Sequence, residues 1–347
     1  MGLFATIGLT SLLVAAAGPQ AVPGRPEDVS PPAVGGKPVE VAIGFYVLDF
    51  ARITPRDESF DATGYLELSW RDPRLALGSV ASPKPGARRR VDAARLWTPR
   101  IFFENVLEQP KYHSEPVVEA DENGVVTSWV IVSGKFSSEM DLRRFPFDRQ
   151  ALTIRIGAFE DEAVMAFSPK RELVLAGEGA FVSDWTIETP AARVDSRPYV
   201  PGREPYARYE YRVGVERRST FYVWRVIVPL TLLAAISWAA FWFEPVGLQP
   251  QVSTCMACLI ALVAFNFAID FSLPKVAYLT LIDRHALIGF GFVAAAVVVV
   301  TSVHVAVTSD RLRVARSIQR AARWGFPPAY LLAVALNLNL PLAHWLP

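Results

Sequence analysis

Two cysteines and four histidines are the residues of this chain best suited to metal or redox chemistry. Cys255 and Cys258 have the C-x-x-C spacing of metal and redox sites, but they lie inside a long apolar segment without a second pair of ligands. The sequence contains no HExxH, no GxSxG and no phosphate-binding glycine loop, and its histidines are scattered. We therefore interpret both cysteines as small packing residues. We expect no metal, no cofactor and no enzymatic activity. A membrane enzyme, the first alternative, would need a nucleophile or a set of metal ligands.

Polar residues inside the apolar segment 249–273 indicate a different chemistry, the passage of ions. As a helix this segment is long enough to cross a bilayer, and Asp270 is its only formally charged residue. One helical face, in steps of four and three, changes from small and polar to bulky and apolar. It consists of Ser253, Ala257, Ile260, Ala264, Phe267 and Phe271. Several such helices around an axis would line a pore with an apolar constriction. A buried helix of a membrane bundle tolerates the same residues and is the alternative.

The apolar residues that must position this segment are concentrated in the last third of the chain. We predict four membrane spans, at residues 221–243, 249–273, 286–307 and 327–346. The intervening segment 308–326 carries five arginines against one aspartate, so the positive-inside rule places it in the cytoplasm. Four spans then put the N-terminal domain and the C-terminus on the periplasmic or extracellular side of the inner membrane.

The N-terminal part divides into three regions. Residues 1–21 have the apolar core and small-residue end of a signal peptide, although no Lys or Arg precedes the core, and an uncleaved anchor is the alternative. Residues 22–38 are a linker rich in proline and glycine. Residues 39–217 form the soluble domain and residues 218–347 the transmembrane domain. The formal net charge is +1 and no basic stripe occurs, so we expect no nucleic-acid partner.

Short alternating segments separated by turn signals fill residues 39–217. The segment 65–70 alternates cleanly, which places Leu66, Leu68 and Trp70 on one face of a strand. Many short strands at this spacing predict an antiparallel β-sandwich. The soluble domain contains no cysteine, so no disulfide supports it.

The sequence DLRRFPFDRQ at residues 141–150 is the most specific motif in the chain. It resembles the signature loop of the Cys-loop receptor superfamily, the pentameric ligand-gated ion channels. Ser138 and Leu152 replace the two flanking cysteines, as is usual in prokaryotic members. Further similar motifs follow in the family's order: WRDPRL at 70–75, WTP at 97–99 with Asn105, ISWAAFW at 236–242, and the linker from LPK at 273–275 to TLID at 280–283. The resemblance covers about residues 36–347.

The resemblance implies a homopentamer around a central pore, with an agonist site between adjacent sandwiches. The candidate ligand-binding residues are Phe103, Phe159, Glu160, Tyr199 and Tyr206. A cage of aromatics with a nearby carboxylate would suit an organic cation through cation–π contact, so we expect a small-molecule agonist such as an amine. Proton gating is the alternative. Tyr65, Glu67 and Ser69 alternate with the core-facing residues of their strand and are candidates for the opposite wall.

The family motif also predicts a junction that couples the two domains. Phe145-Pro146-Phe147 forms a rigid apolar knuckle facing the membrane. Asp148 is expected near Arg217, and Pro274 and Lys275 belong to the linker between the second and third spans. Apart from this resemblance, the sequence around Asp148 favours an ordinary turn residue whose carboxylate accepts hydrogen bonds from backbone amides.

The pore helix supplies a gate and a selectivity region. Ile260 and Phe267 are the predicted gate, because rings of apolar side chains in a narrow lumen exclude water. Candidates for ion selection are Glu244, Gln249, Gln251 and Asp270. The acidic ring of cation-selective members is absent from the inner end, where Gln249-Pro250-Gln251 stands, yet no Lys or Arg lies in the helix. We predict a cation-conducting, ligand-gated channel; a non-conducting membrane receptor is the remaining alternative.

Overall fold

The computed structural model describes residues 30–32, 36–76, 88–177, 184–244, 248–270 and 276–339. The predicted signal peptide and most of the linker lie outside these ranges. So do Phe271, Pro274, Lys275 and the side chain of Asp270.

Two β-sheets form the N-terminal domain, with strands bounded as follows. These are β1 (Val39–Thr54), β2 (Ser59–Arg71), β3 (Arg89–Arg90), β4 (Ile101–Phe103), β5 (Lys111–Tyr112), β6 (Val117–Ala120), β7 (Val125–Ser137), β8 (Arg149–Asp161), β9 (Met165–Pro169), β10 (Trp185–Ile187), β11 (Ala191–Arg197) and β12 (Tyr206–Arg217). One sheet has the order β3-β6-β7-β2-β1-β9, with β5 added to β7. The other has the order β10-β12-β8-β4, with β11 added to β12.

The inward faces of both sheets share one hydrophobic core. Leu66, Leu68 and Trp70 of β2 are buried, as their alternation predicts, and Tyr209 and Tyr211 of β12 approach from the other sheet. The prediction of a β-sandwich is therefore correct. One pairing departs from the antiparallel expectation, because β9 runs parallel to β1.

Four long helices follow the sandwich in the described part of the chain. They are the first helix (Thr220–Trp242), the second (Leu248–Asp270), the third (Leu281–Thr308) and the fourth (Leu312–Asn339). The first helix widens into a π-helical segment at Val223–Ile227. This segment ends two residues before Pro229, whose ring and missing N–H do not fit a regular helical turn. The first three helices are long and apolar enough to cross a membrane, as far as the described residues extend.

The third and fourth helices begin earlier than the hydropathy pattern predicts. Thr280 caps the third helix, since its hydroxyl accepts the N–H of Asp283 while the Asp283 carboxylate accepts the N–H of Thr280. The arginine-rich segment is helical and continuous with the predicted fourth span, because arginine is a good helix former and Ala315 and Gln319 are buried against the bundle. Hydropathy marks where a helix becomes apolar, which is not where it starts.

Candidate functional site

A cleft of about 330 Å³ lies on the five-stranded sheet, at the hairpin that joins β11 to β12. Strand β4 contributes Phe102, the hairpin contributes Tyr199, and β12 contributes Arg208. The lining residues are Phe102, Glu104, Arg197, Pro198, Tyr199 and Arg208. Aromatic faces and charged groups from three separate segments therefore converge on one small volume.

Four aromatic rings are in contact at this cleft. The ring centroid of Phe102 lies 4.8 Å from that of Phe159 and 5.5 Å from that of Tyr199. Tyr199 in turn lies 4.9 Å from Tyr206. The structure thus brings together three of the predicted ligand-binding residues, Phe159, Tyr199 and Tyr206. The side chain of Phe159 is 55% exposed, so its ring is open to a ligand or to a neighbouring subunit.

The assignment of Phe103 to the cleft is wrong. Phe103 is buried in the sandwich core, where its ring packs 5.5 Å from that of Phe136 and 6.4 Å from that of Phe45. Adjacent residues of a strand point to opposite faces, so only one of the two phenylalanines can face the cleft. That residue is Phe102, which the sequence reasoning missed.

The cleft also contains a carboxylate and a guanidinium that the sequence reasoning missed. The Tyr199 hydroxyl donates to Glu104 Oε1 at 3.3 Å, and Arg208 Nη1 lies 3.6 Å from Glu104 Oε2. Burial raises the pKa of Glu104, although Arg208 and Tyr199 oppose the shift. Burial and the neighbouring Glu104 raise the pKa of Tyr199, which keeps its hydroxyl protonated. The i, i+2 spacing of Phe102 and Glu104 is the signal that could have placed both on the same face.

Glu160 is engaged by a neighbouring arginine. Arg100 Nε donates to Glu160 Oε1 at 2.7 Å, and the guanidinium of Arg100 lies 5.8 Å from the ring centroid of Phe159. The carboxylate of Glu160 is therefore held by Arg100 at 2.7 Å, whereas that of Glu104, which lines the cleft, has its nearest cation, Arg208, at 3.6 Å.

The candidates for the opposite wall lie on the other sheet. Tyr65 stacks on Trp129 with centroids 5.6 Å apart, and its hydroxyl donates to Glu67 Oε2 at 2.7 Å. Lys170 also forms an ion pair with Glu67. Ser69 lies 3.5 Å from the hydroxyl of Thr127. Because β2 and β4 belong to different sheets, these residues do not line the cleft of their own subunit.

A buried ion pair joins the signature loop to the end of β12. Arg217 Nε donates to Asp148 Oδ1 at 2.7 Å, and Arg217 Nη2 donates to Asp148 Oδ2 at 3.1 Å. The guanidinium also lies over the rings of Trp185 and Phe145, at 4.1 and 4.7 Å from their centroids. Gln150 donates a further hydrogen bond to Asp148 Oδ2. Asp148 is therefore the counter-ion of the residue that leads into the first helix.

The tip of the signature loop packs against the helices. Phe145 is buried in a second hydrophobic core together with Leu142, Val226, Leu230 and Ile282. Pro146 is also buried, following a cis Phe145–Pro146 peptide bond, whereas Phe147 is exposed. The Leu142 N–H donates to the Tyr278 hydroxyl at 2.9 Å. The loop thus touches both the first helix and the segment that leads into the third.

The predicted pore face of the second helix is exposed. Ser253, Ala257, Ile260, Ala264 and Phe267 are all exposed, with Ile260 at 65% and Phe267 at 68%. The opposite face is buried against the first and third helices by Gln251, Cys255, Cys258 and Leu262. Both cysteines are free thiols that pack in this seam. Within the described ranges, no three His, Cys, Asp or Glu residues are placed to hold a metal ion.

The structure at the inner end of the second helix excludes Gln251 as a candidate for ion selection. Gln251 is only 2% exposed, and its amide donates to the Glu244 carbonyl at 2.9 Å, because it lies on the buried face of the helix. Gln249 and the side chain of Glu244 are exposed. Nearby, Gln319 and Arg323 of the fourth helix donate to the Phe241 carbonyl, which ties that helix to the end of the first.

A β-sandwich with an aromatic and acidic cleft, whose signature loop packs against helices apolar enough to cross a membrane, is the architecture of a membrane receptor. Residues 26–197 match the family of the neurotransmitter-gated ion-channel ligand binding domain. The chain is 30% identical over 305 residues to the proton-gated ion channel of Gloeobacter violaceus, covering 87% of this chain and 83% of that channel.

More distant relatives are receptor subunits from animals. The chain is 25% identical over 269 residues to the gamma-aminobutyric acid receptor subunit beta-4 of Gallus gallus, and 24% identical over 289 residues to subunit rho-3 of Homo sapiens. These alignments cover 76% and 80% of this chain, and 54% and 61% of the two subunits. The chain belongs to the pentameric ligand-gated ion channels of the Cys-loop type, as the sequence motifs predict. It is a ligand-gated ion channel.

Proposed function

We propose that five copies of this chain surround a central pore lined by the second helix. The observation that carries this proposal is that one face of the second helix is buried and the opposite face is exposed. Gln251, Cys255, Cys258 and Leu262 pack within the subunit, whereas the face carrying Ile260 and Phe267 is exposed among the residues that the structure describes. An exposed face of small and polar residues at one end fits water better than lipid.

Ile260 and Phe267 form the gate. Both are large apolar side chains on the uncovered face, separated by two helical turns. Five copies of each would form two rings that exclude water from a narrow lumen, so the closed channel requires no other plug. In the sequence, Phe271 follows at the same spacing, outside the described residues.

The aromatic cleft is the principal face of the agonist site. The ligand is a small organic cation, held by Phe102, Phe159, Tyr199 and Tyr206 and by the carboxylate of Glu104. The face carrying Tyr65 and Glu67 of the neighbouring subunit completes the site. Protons are the second candidate agonist, favoured by the raised pKa of Glu104 and by the name of the Gloeobacter relative.

Gating would couple the sandwich to the helices, a role supported by the packing of the signature loop against them. Agonist closes the hairpin that carries Tyr199 and shifts a pre-existing equilibrium between closed and open states. The lower loops, at residues 56–60 and 145–148, then press on residues 274–278. The second helix tilts and the two apolar rings separate. The ion pair of Asp148 and Arg217 keeps the loop and the first helix moving together.

The channel conducts cations. Glu244 before the inner mouth and Asp270 near the outer end supply rings of negative charge, and no Lys or Arg lies in the second helix. The sandwich and the C-terminus are periplasmic and the start of the fourth helix is cytoplasmic, in accordance with its arginines.

Recordings from the full chain in lipid bilayers test this function. Currents are measured across a pH series and with a panel of small amines, and reversal potentials are measured under a tenfold salt gradient. We expect currents evoked by an amine or by protons, and a reversal potential near that of the cation. Currents that reverse near the chloride potential would reject cation selectivity. Single cysteines at residues 253–267 provide the independent test of the pore: uniform rather than periodic reaction with aqueous thiol reagents would exclude this face from the lumen.

A further inference from the structure

A cluster of four arginines surrounds one buried carboxylate on the outward face of the five-stranded sheet. Glu210 of β12 is only 2% exposed. Its carboxylate lies 3.0 Å from Arg193, 2.8 Å from Arg212, 3.4 Å from Arg208 and 3.6 Å from Arg155. We call these four side chains with Glu210 the arginine cluster. Arg208 also pairs with Asp195 and Glu104, so the surplus of positive charge belongs to Arg155, Arg193 and Arg212, three guanidinium groups that share the carboxylate of Glu210.

Sheet register explains how the arginines converge. Glu210 is paired with Arg193 of β11 on one side and with Arg155 of β8 on the other, so the three residues form a row across three strands. Arg208 and Arg212 flank Glu210 on its own strand and share its face. Arg208 is itself paired across the strands with Asp195 of β11, whereas Arg155, Arg193 and Arg212 converge on Glu210. Burial alone would raise the pKa of Glu210, but Arg193, Arg212 and Arg155 hold it below its usual range.

Three of the arginines reach solvent with spare donors. The side chains of Arg155, Arg193 and Arg212 are 41%, 55% and 51% exposed, and Glu210 is their only carboxylate partner in the part of the chain that the structure describes. Each guanidinium carries five N–H donors in a planar fork that matches the oxygens of phosphate or carboxylate. The Nε of Arg155 is buried and makes no hydrogen bond there. We propose that the arginine cluster binds a small divalent oxyanion of the phosphate type.

Arg208 connects this site to the cleft. It is mostly buried and is shared by three carboxylates: Glu210, Asp195 at 3.2 Å and Glu104 at 3.6 Å. A bound oxyanion draws Arg193 and Arg212 away from Glu210, and Glu210 then competes more strongly for Arg208. Glu104 loses part of its counter-ion as a result, which changes its hydrogen bond with Tyr199. The anion site thereby modulates the hairpin, and this coupling step, unlike the binding step, rests on the proposed function of the cleft.

Thermal unfolding of the full chain in detergent tests the binding step. Inorganic phosphate is titrated at fixed pH, with chloride keeping the ionic strength constant. A ligand that binds the folded state raises the midpoint saturably. We expect this rise in the natural protein, and at least a tenfold weaker response in the double variant Arg193→Gln/Arg212→Gln. Arg149→Gln is the matched control, because Arg149 lies on β8 and pairs one-to-one with Glu216 of β12 at 3.1 Å.

A third variant should strengthen the stabilisation by phosphate instead of weakening it. Glu210→Gln removes the internal anion, so phosphate should stabilise this variant more than the natural protein. Equal phosphate responses of the natural protein, the double variant and the control would overturn the proposal, as would a natural protein that shows no saturable response. If Glu210→Gln does not fold, the double variant and its control still decide the outcome.

Hydrogen exchange tests the coupling step separately. Amides of the hairpin at residues 198–205 should change their exchange rate when phosphate is added to the natural protein. Unchanged exchange at saturating phosphate would reject the coupling. Failure of the cleft to bind an agonist would leave the phosphate titration unaffected, so the two proposals fail independently.

Discussion

Asp148 and Arg217 form a bidentate ion pair in which both side chains are almost completely buried, at 1% and 4% exposure. Asp148 belongs to the signature loop. Arg217 is the last residue of β12, three residues before the first helix begins. Three aromatic rings and Gln150 surround it. Desolvated charges are costly unless both partners remain, so the ion pair holds the signature loop to the end of β12, beside the start of the first helix.

Removal of one partner should destabilise the protein strongly. We expect Asp148→Asn to cost about 3–5 kcal/mol in the free energy of unfolding, because it leaves the Arg217 guanidinium buried without a counter-ion. Arg149→Gln breaks an exposed pair at the position next to Asp148 and should cost ~1 kcal/mol or less. Chemical unfolding in detergent measures both. Similar losses for the two variants would contradict a special role of the buried pair.

Substitutions of Phe102 and Phe103 should have different effects, the first on agonist binding and the second on stability. Phe102→Ala removes a ring from the cleft and is expected to weaken agonist responses with little change in the unfolding midpoint. Phe103→Ala opens a cavity in the sandwich core and should cost about 3–5 kcal/mol. Concentration–response currents and thermal unfolding are compared for both variants. A stability loss at Phe102 equal to that at Phe103 would remove Phe102 from the agonist site.

Truncation of the gate should make the closed channel leak. Phe267→Ala and Ile260→Ala each shrink an apolar ring, so water and ions enter without agonist. Val298→Ala is the control, because Val298 has the same 65% exposure as Ile260 but lies on the third helix. Agonist-free currents in lipid bilayers are measured. Equal leak in Val298→Ala, or no leak in Phe267→Ala, would place the gate elsewhere.

Substitution of Glu104 should change the pH dependence of stability. Burial raises the pKa of Glu104 in the folded state, so the folded protein holds this proton more tightly than the unfolded chain. The resulting contribution is fully present below the ordinary glutamate pKa of about 4.3 and is lost as the pH rises through the folded pKa. Glu104→Gln does not titrate, so its midpoint should rise relative to that of the natural protein as the pH increases above the ordinary glutamate pKa and through the raised pKa of the folded state. A difference that stays constant with pH would contradict the raised pKa.

Much of the fold follows from local periodicity. Alternation identified the long strands, as at Leu66, Leu68 and Trp70, because a strand with one buried face needs every second residue apolar. Hydropathy identified the first three helices for a similar reason. It misjudged the start of the fourth, since Arg313 and Arg316 extend a helix as well as apolar residues do.

The candidate site was less predictable than the fold. The family motif suggested that Asp148 lies near Arg217, and the two are in contact. Residue type alone did not distinguish Phe102 from Phe103, and helical spacing did not show that Gln251 turns inward. Both outcomes depend on which face of an element its neighbours cover, and a single segment contains no information about that.

By itself, the sequence determined the order of sandwich and spans, the apolar stripe of the second helix and the family signature. These are properties of neighbouring residues, set by the periods of strands and helices. Only the tertiary structure decided that Tyr199 meets Glu104, 95 positions away, and that four arginines from three strands surround Glu210. Such contacts depend on strand pairing and on packing between sheets, where the energy of a contact is independent of its distance along the chain.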